Sequence, residues 1–388
     1  MENNNAPQIA IWADYHTGHR LAWVEIIIRN VFEKTHCPVL VVMPTFVFQS
    51  QEYQVFLKAQ EGHFVPLVLG REPKTLSLTP PQSPFQIWRE LLQVLRELKK
   101  RGIKRLVVAT GDELVKAAGV AGLLGWRPGN IEIHAGILQL GLVYPNRPWK
   151  TRLKDYISFF VKKSAPVQTL CFDGWAVEKT RERFGVSLRV CVEPLLSMKE
   201  YMKERSAGSR PDRRAGVTFG FAGGADQGDR KGADFLLDAF QRARLPSDSR
   251  LFFVGRFNPI LMDYFEAAKK SLGERLIVQN KLLSNEALFR VMDHQMDVLC
   301  LPYRDHVGSS GFYAQAATLG KILIVPDSGW LGWEGQKNPK VRLFRNQSVD
   351  SLKEALEQTA DDFEKMEAAP SIYRPADEEE FVKALTGI

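Results

Sequence analysis

The chain has 388 residues, of which 45% are hydrophobic and 25% charged, enough for two domains with cores of their own. No apolar run approaches the roughly 18 residues of a membrane span, and the opening MENNNAPQIAIW lacks the basic segment and apolar centre of a secretory signal, so a cytoplasmic protein is expected. With 52 Lys and Arg against 45 Asp and Glu, the formal charge of +7 favours an anionic partner, for which phosphate-bearing substrates, acidic membrane surface and nucleic acid all qualify.

Strand-like and helix-like segments alternate from the start. QIAIWA (Gln8 to Ala13) reads as a strand, followed by an amphipathic run from Arg20 to Glu33 and by PVLVVMP (Pro38 to Pro44), a short apolar run typical of a strand covered on both faces. PLVLG (Pro66 to Gly70), the helix-period stretch Ile87 to Lys100, RLVVAT (Arg105 to Thr110), NIEIHAG (Asn130 to Gly136) and TLCF (Thr169 to Phe172) continue the beat. This alternation predicts a mostly parallel sheet with helices on both faces. WKTRLKDYISFFVKK (Trp149 to Lys163) predicts a helix with five Lys and Arg against one Asp and apolar residues at helical spacing. Such a helix either packs its apolar side on the core or lies on an anionic membrane surface. After RVCVEPLL (Arg189 to Leu196) the composition turns charged and apolar-poor, as in an interdomain linker. Cys37, Cys171, Cys191 and Cys300 sit in apolar contexts without a CxxC pair, so reduced core thiols are expected rather than disulfides or a metal site.

A second series starts at Val217 and carries three glycine-rich strand ends. FGFAGGADQGDRKG (Phe219 to Gly232) is the first and LFFVG (Leu251 to Gly255) the second. The third, VGSSGFYAQAATLG (Val307 to Gly320), lies between DVLCLP (Asp297 to Pro302) and KILIVP (Lys321 to Pro326). Strand, glycine-serine loop, small-residue helix and strand form a phosphate-binding layout, because loop amides and a helix N-terminus offer N–H donors to an anion. Arg230 and Lys231 add two cations beside it, and Ser309 and Ser310 add hydroxyls. The sequence has no Ser-His-Asp order, HExxH spacing or GxGxxG fingerprint, which argues against hydrolase, zinc and nicotinamide chemistry.

Two parallel α/β domains, the second with GG…RKG before a helix, then VG, then P…GSSG…A…G…I, resemble the GT-B glycosyltransferases. More narrowly, the pattern is similar to the large retaining family that includes sucrose synthase and bacterial mannosyl- and glucosyltransferases. The resemblance implies an α/β protein of two Rossmann-like domains facing across a cleft. By it, residues 1–195 form the acceptor-side domain, 196–215 a linker and 216–365 the nucleotide-sugar domain, with 366–388 a helix packing back on the first domain. It also implies a hexosyltransferase moving sugar from a nucleotide-diphosphate donor to a hydroxyl of a glycan, lipid or small molecule. No metal or other cofactor and no nucleic acid belongs to that reading, while contact with the inner face of a membrane is compatible with it.

In the family a Gly-Arg…Lys-Gly segment grips the donor diphosphate and a Glu-x7-Glu motif binds donor sugar and ribose. Lys231-Gly232 matches the first, but Gly223-Gly224 stands where the family has Gly-Arg. Aligning Gly308, Gly311 and Gly320 with the family's glycines puts Val307 at the first glutamate and Gln315 at the second. Gln315 can still bond ribose hydroxyls. Val307 cannot replace a carboxylate, and Asp305 or His306 is the nearest substitute. The expected donor-binding set is Gly18, Gly223, Gly224, Gly255, Gly308, Ser309, Ser310, Gly311 and Gln315, with His134, Lys231 and Arg230 acting on the reacting groups. His134 is expected to end a strand near the transferred sugar, and Asp112 to orient an acceptor or cap a helix. Two alternatives stay open: a GT-B protein that binds without catalysis, which the missing glutamate motivates, and a sugar-nucleotide epimerase.

Overall fold

The computed structural model describes residues 7–13, 20–69, 84–137, 143–144, 149–191, 194, 201–202, 205, 216–225, 228, 230–281, 283–374 and 377–388. They form two units, Met1–Leu196 with Ala376–Ile388, and Ser197–Pro375.

The first unit is a seven-stranded sheet of β1 (Ile9–Trp12), β2 (Val39–Pro44), β3 (Phe64–Leu69), β4 (Arg105–Val108), β5 (Glu132–Ile137), β6 (Gln168–Cys171) and β7 (Arg189–Val190), ordered β3-β2-β1-β4-β5-β6-β7. Every pairing is parallel. Its helices are α1 (Arg20–Thr35), α2 (Thr45–Phe48), α3 (Gln51–Phe56), α4 (Pro84–Lys100), α5 (Asp112–Leu123), α6 (Trp149–Lys163) and α7 (Gly174–Phe184). β1 and β2 are buried at every position, which is why they read as unbroken apolar runs.

Nearly the whole girth of α1 is buried, from Leu21 through Ile26, Ile27 and Ile28 to Val31. The reason lies at the other end of the chain, where the helix Glu378–Thr386 packs on α1 and places Phe381, Val382 and Leu385 in the same apolar cluster. Trp23 and Phe381 rings lie 5.8 Å apart, and Arg29 pairs with Glu378 at 2.8 Å. Burying those three side chains contributes at most about 5 to 9 kcal/mol.

The segment read as a linker is only partly a tether. Tyr201 is buried and its hydroxyl donates to Asp293 at 2.9 Å, while Arg205 Nε meets the same carboxylate at 2.7 Å.

The second unit repeats the architecture with β8 (Thr218–Ala222), β9 (Arg250–Gly255), β10 (Leu276–Asn280), β11 (Val298–Cys300), β12 (Ile322–Pro326) and β13 (Val341–Phe344), all parallel in the order β10-β9-β8-β11-β12-β13. Its core is rich in phenylalanine, with Phe219, Phe221, Phe240, Phe253, Phe265 and Phe344 almost fully buried. Strand order reverses between β8 and β11. In an open parallel sheet the crevice at the carboxyl ends of the strands flanking such a reversal is where ligands bind, because the loops there diverge and leave backbone amides facing the gap.

All four cysteines are buried and none is in a disulfide. No helix among the described residues is long and apolar enough to cross a membrane.

Candidate functional site

The glycine-rich strand ends of the second unit meet at this reversal. After β8 the chain is tied to the end of β9: Gly223 N–H donates to the Val254 carbonyl at 2.8 Å and Ala225 N–H to that of Arg256 at 3.1 Å. Gly255 sits so close that a Cβ on it would lie 2.1 Å from the Gly223 oxygen, so glycine there is a packing requirement. Gly232 has φ +66°, and a Cβ would come within 2.3 Å of the Pro302 carbonyl. It lets the loop turn into the helix Ala233–Arg242 while touching the end of β11.

The two cations of the loop lie on this floor. Lys231 Nζ donates to the Gly224 carbonyl at 2.7 Å. A Cβ added to Gly223 would stand 3.6 Å from that ammonium and 2.9 Å from the Phe312 ring, so the Gly223–Gly224 turn, Lys231 and Phe312 are immediate neighbours. Arg230 joins the loop after β11 twice. Its carbonyl accepts from Arg304 N–H at 2.7 Å, and its guanidinium lies 2.8 Å from His306 Nδ1.

That second contact fixes a tautomer. A guanidinium only donates, so Nδ1 of His306 accepts, and Nε2 carries the proton it shares with the Ser309 carbonyl at 3.1 Å. Burial, then the Arg230 charge, push the imidazole down to about 4, and the ring is neutral at physiological pH. The folded value lies below the ordinary histidine range, so the stability held by this lock is full above about pH 6.5 and is lost as pH falls towards 4. The melting temperature of the wild type should accordingly fall further between pH 6.5 and 4 than that of His306→Asn. Parallel melting curves would exclude the lock.

Asp305 turns the other way. At φ +50° its carboxylate accepts from the side-chain amides of Asn346, at 3.1 Å, and Gln347, which is also left-handed at φ +62°. The next loop enters the helix Gly311–Thr318 with Ser310 as its cap, the hydroxyl accepting from Tyr313 N–H at 3.4 Å. One turn on, Gln315 is buried, and its side-chain carbonyl oxygen has no hydrogen-bond partner. A buried acceptor without a partner is costly to keep.

No family model matches the sequence, and no curated protein matches it significantly. Solved structures do. Sucrose-phosphate synthase from Thermosynechococcus elongatus superposes with a TM-score of 0.64 at 14% identity, over 98% of this chain and 94% of that one. The Anabaena protein HepE in complex with UDP gives 0.60 at 12%, over 93% and 92%. A putative UDP-N-acetylglucosamine 2-epimerase from Listeria monocytogenes gives 0.58 at 14%, over 98% and 94%. The chain has the GT-B glycosyltransferase fold.

Within this GT-B chain the residues expected to bind the donor, Gly223, Gly224, Gly255, Gly308, Ser309, Ser310, Gly311 and Gln315, and those expected to act on the reacting groups, Arg230 and Lys231, fall at the last residue of β9 or on loops and one helix that follow β8 and β11. Gly18 lies outside the described residues. Upstream of Val307, the Asp305 carboxylate accepts from two amides and His306 lies between Arg230 and Ser309.

His134 requires a correction. It does not end its strand but is the third of six residues in β5, paired with Val107 and Gln168. Its Nδ1–H donates to the Leu385 carbonyl at 2.8 Å. Leu385 belongs to the last turn of the C-terminal helix, where carbonyls have no partner within the helix, and Arg105 donates to the next one, of Thr386. His134 therefore caps a helix, and burial holds its pKa below the ordinary value. Asp112 is likewise committed, to Lys162 at 2.5 Å, and the helix it opens has Gly111 as its N-cap.

Phe312 and the coupling of His306 to Arg230 were not legible in the sequence. The contact joins residues 76 apart on different loops, and no local pattern encodes it.

Proposed function

We propose that this chain transfers a sugar from a nucleotide-diphosphate donor to a hydroxyl of a glycan, lipid or small-molecule acceptor, with retention of configuration. The observation that carries the reading is the Lys231 ammonium beside the Gly223–Gly224 turn, on a glycine-built floor at the strand-order reversal. Diphosphate oxygens entering there would take over the donor that Lys231 gives to the Gly224 carbonyl, with Arg230 alongside. Charge-assisted hydrogen bonds of this kind strengthen as the leaving diphosphate gains charge. In this reading the amides and hydroxyls from Gly308 to Gly311 complete the cradle, side chains neutralise the leaving group, and Gln315 holds the ribose.

The orphan oxygen of Gln315 fits a ribose hydroxyl as its missing donor. UDP is the first nucleotide to test, since it occupies HepE. By calorimetry Gln315→Ala should weaken UDP binding by about 1 to 2 kcal/mol, a factor of roughly 5 to 30 in Kd. Gln315→Glu should keep or raise affinity, and equal affinity in wild type and the alanine variant would move the ribose elsewhere.

A second reading is a sugar-nucleotide epimerase using the same floor, since one solved structure of this fold is a putative enzyme of that kind. Mass spectrometry separates the two. An epimerase changes the donor and releases no nucleoside diphosphate, whereas a transferase releases it.

A further inference from the structure

α6 is built inside out. Its helical stripe of Trp149, Leu153, Tyr156, Ile157 and Phe160 faces solvent, each residue at least 42% exposed, while the face turned inward carries Phe159 and the cation Lys162. Lys162 is accommodated there because Asp112 of α5 neutralises it at 2.5 Å. Of the two expectations for this helix, packing of the apolar stripe on the core is the one the structure contradicts. The partner helix behaves the same way. Gly119 and Gly122 of α5 press against the Val161 and Ser164 carbonyls, where a Cβ would lie 1.9 and 2.2 Å away, and this turns Val120, Leu123 and Leu124 outward.

Eight of the fourteen large exposed apolar residues among those described lie on or just after these two helices. Scattered exposed leucines need no explanation, but a contiguous face of this kind marks an interaction surface. The surrounding charge selects the partner. α6 carries five Lys and Arg against one Asp, and Lys150 and Lys163 are exposed at its two ends. The last turn of α7 adds exposed Arg181 and Arg183, and its Phe184 ring lies 6.0 Å from that of Tyr156. Of the carboxylates nearby, Glu113 pairs with Lys116 and Glu182 with Lys179. Interfaces between protein copies deplete lysine at their centres, whereas a tryptophan-bearing apolar stripe edged with Lys and Arg matches the headgroup and acyl boundary of an anionic bilayer.

We propose that the α5–α6 face docks the protein on an anionic lipid surface, Trp149, Leu153, Tyr156, Ile157 and Phe160 entering the acyl boundary and Lys150 and Lys163 meeting lipid phosphates. The proposal rests on the exposure and charge of this face and is independent of the sugar-transfer reading.

Flotation of the full chain with vesicles tests it. The wild type should float with phosphatidylcholine vesicles containing about 30% phosphatidylglycerol and not with phosphatidylcholine alone, and raising salt from about 0.1 to 0.5 M should weaken the association. Trp149→Ser/Leu153→Ser/Ile157→Ser should lower partitioning by about tenfold or more at unchanged melting temperature, since all three side chains are exposed. Lys150→Glu/Lys163→Glu should do so chiefly at low salt. Absence of flotation, equal binding to neutral vesicles, or wild-type binding by the triple serine variant would each overturn the proposal. A dimer seen without flotation and lost in that variant would assign the face to a second copy.

Discussion

Lys231→Ala is expected to reduce turnover of a nucleotide-diphosphate sugar by on the order of 10²-fold or more, the range seen when one preorganised electrostatic contact to a leaving group is removed. The ammonium sits 2.7 Å from the Gly224 carbonyl at the rim of the turn, and the carbonyl side of that contact can turn to water when the lysine goes, so the melting temperature should hold. Lys231→Arg should recover part of the activity, because it restores charge without the compact ammonium geometry. The loss should fall on kcat more than on KM if the contact strengthens as charge develops, and equal loss in binding alone would make Lys231 a positioning residue. Wild-type turnover in the alanine variant would remove the diphosphate from this floor. The same measurement on Arg230→Ala reads a mixed effect, since that guanidinium also holds His306.

The largest effect on stability should come from a single methyl group. In Gly119→Ala the new Cβ would stand 1.9 Å from the Val161 carbonyl oxygen and 2.6 Å from its carbon, both backbone atoms that cannot swing aside. α5 and α6 must separate, which opens the close packing around Val115, Ala118 and Phe159 and stretches the buried Lys162–Asp112 pair. A cost of about 3 kcal/mol or more is expected, at the upper end of overpacking penalties. For a unit of this size that is a fall of roughly 6 to 12 °C in the melting temperature. Gly125→Ala is the control: its φ is +85° and a Cβ there meets nothing within 4 Å, so about 1 kcal/mol is expected from backbone strain alone. A loss at Gly119 no larger than that at Gly125 would show that the α5–α6 contact does not set the cost.

Burial on both faces made most of the fold readable. β1, β2, β8, β11 and β12 are apolar at nearly every position because helices cover the sheet on each side, and such runs stand out without any periodicity. The edge strands β10 and β13 did not stand out, since each keeps three or more of its residues only partly buried and mixes polar side chains among apolar ones. Helical spacing located α6 correctly, but spacing gives a stripe and not its direction. The direction was decided by Gly119, Gly122 and Asp112 on another helix. The glycine floor was legible for a similar reason to the strands, because close approach of backbones admits one residue type. His134 misled because its partner, the Leu385 carbonyl, lies 251 residues away, and in isolation a strand histidine resembles a ligand.

The C-terminal helix Glu378–Thr386 has a consequence for the order in which the protein is made. The unit Ser197–Pro375 is one continuous stretch and has all its strands as soon as its own residues leave the ribosome. The unit that begins the chain does not. Phe381, Val382 and Leu385, which close the space over α1 and Trp23, are translated only after every residue of the second unit. Synthesis from the N-terminus thus produces the second unit's complete core first, and for that interval the earlier-made domain waits with an apolar groove along α1 uncovered, a surface for chaperones rather than solvent.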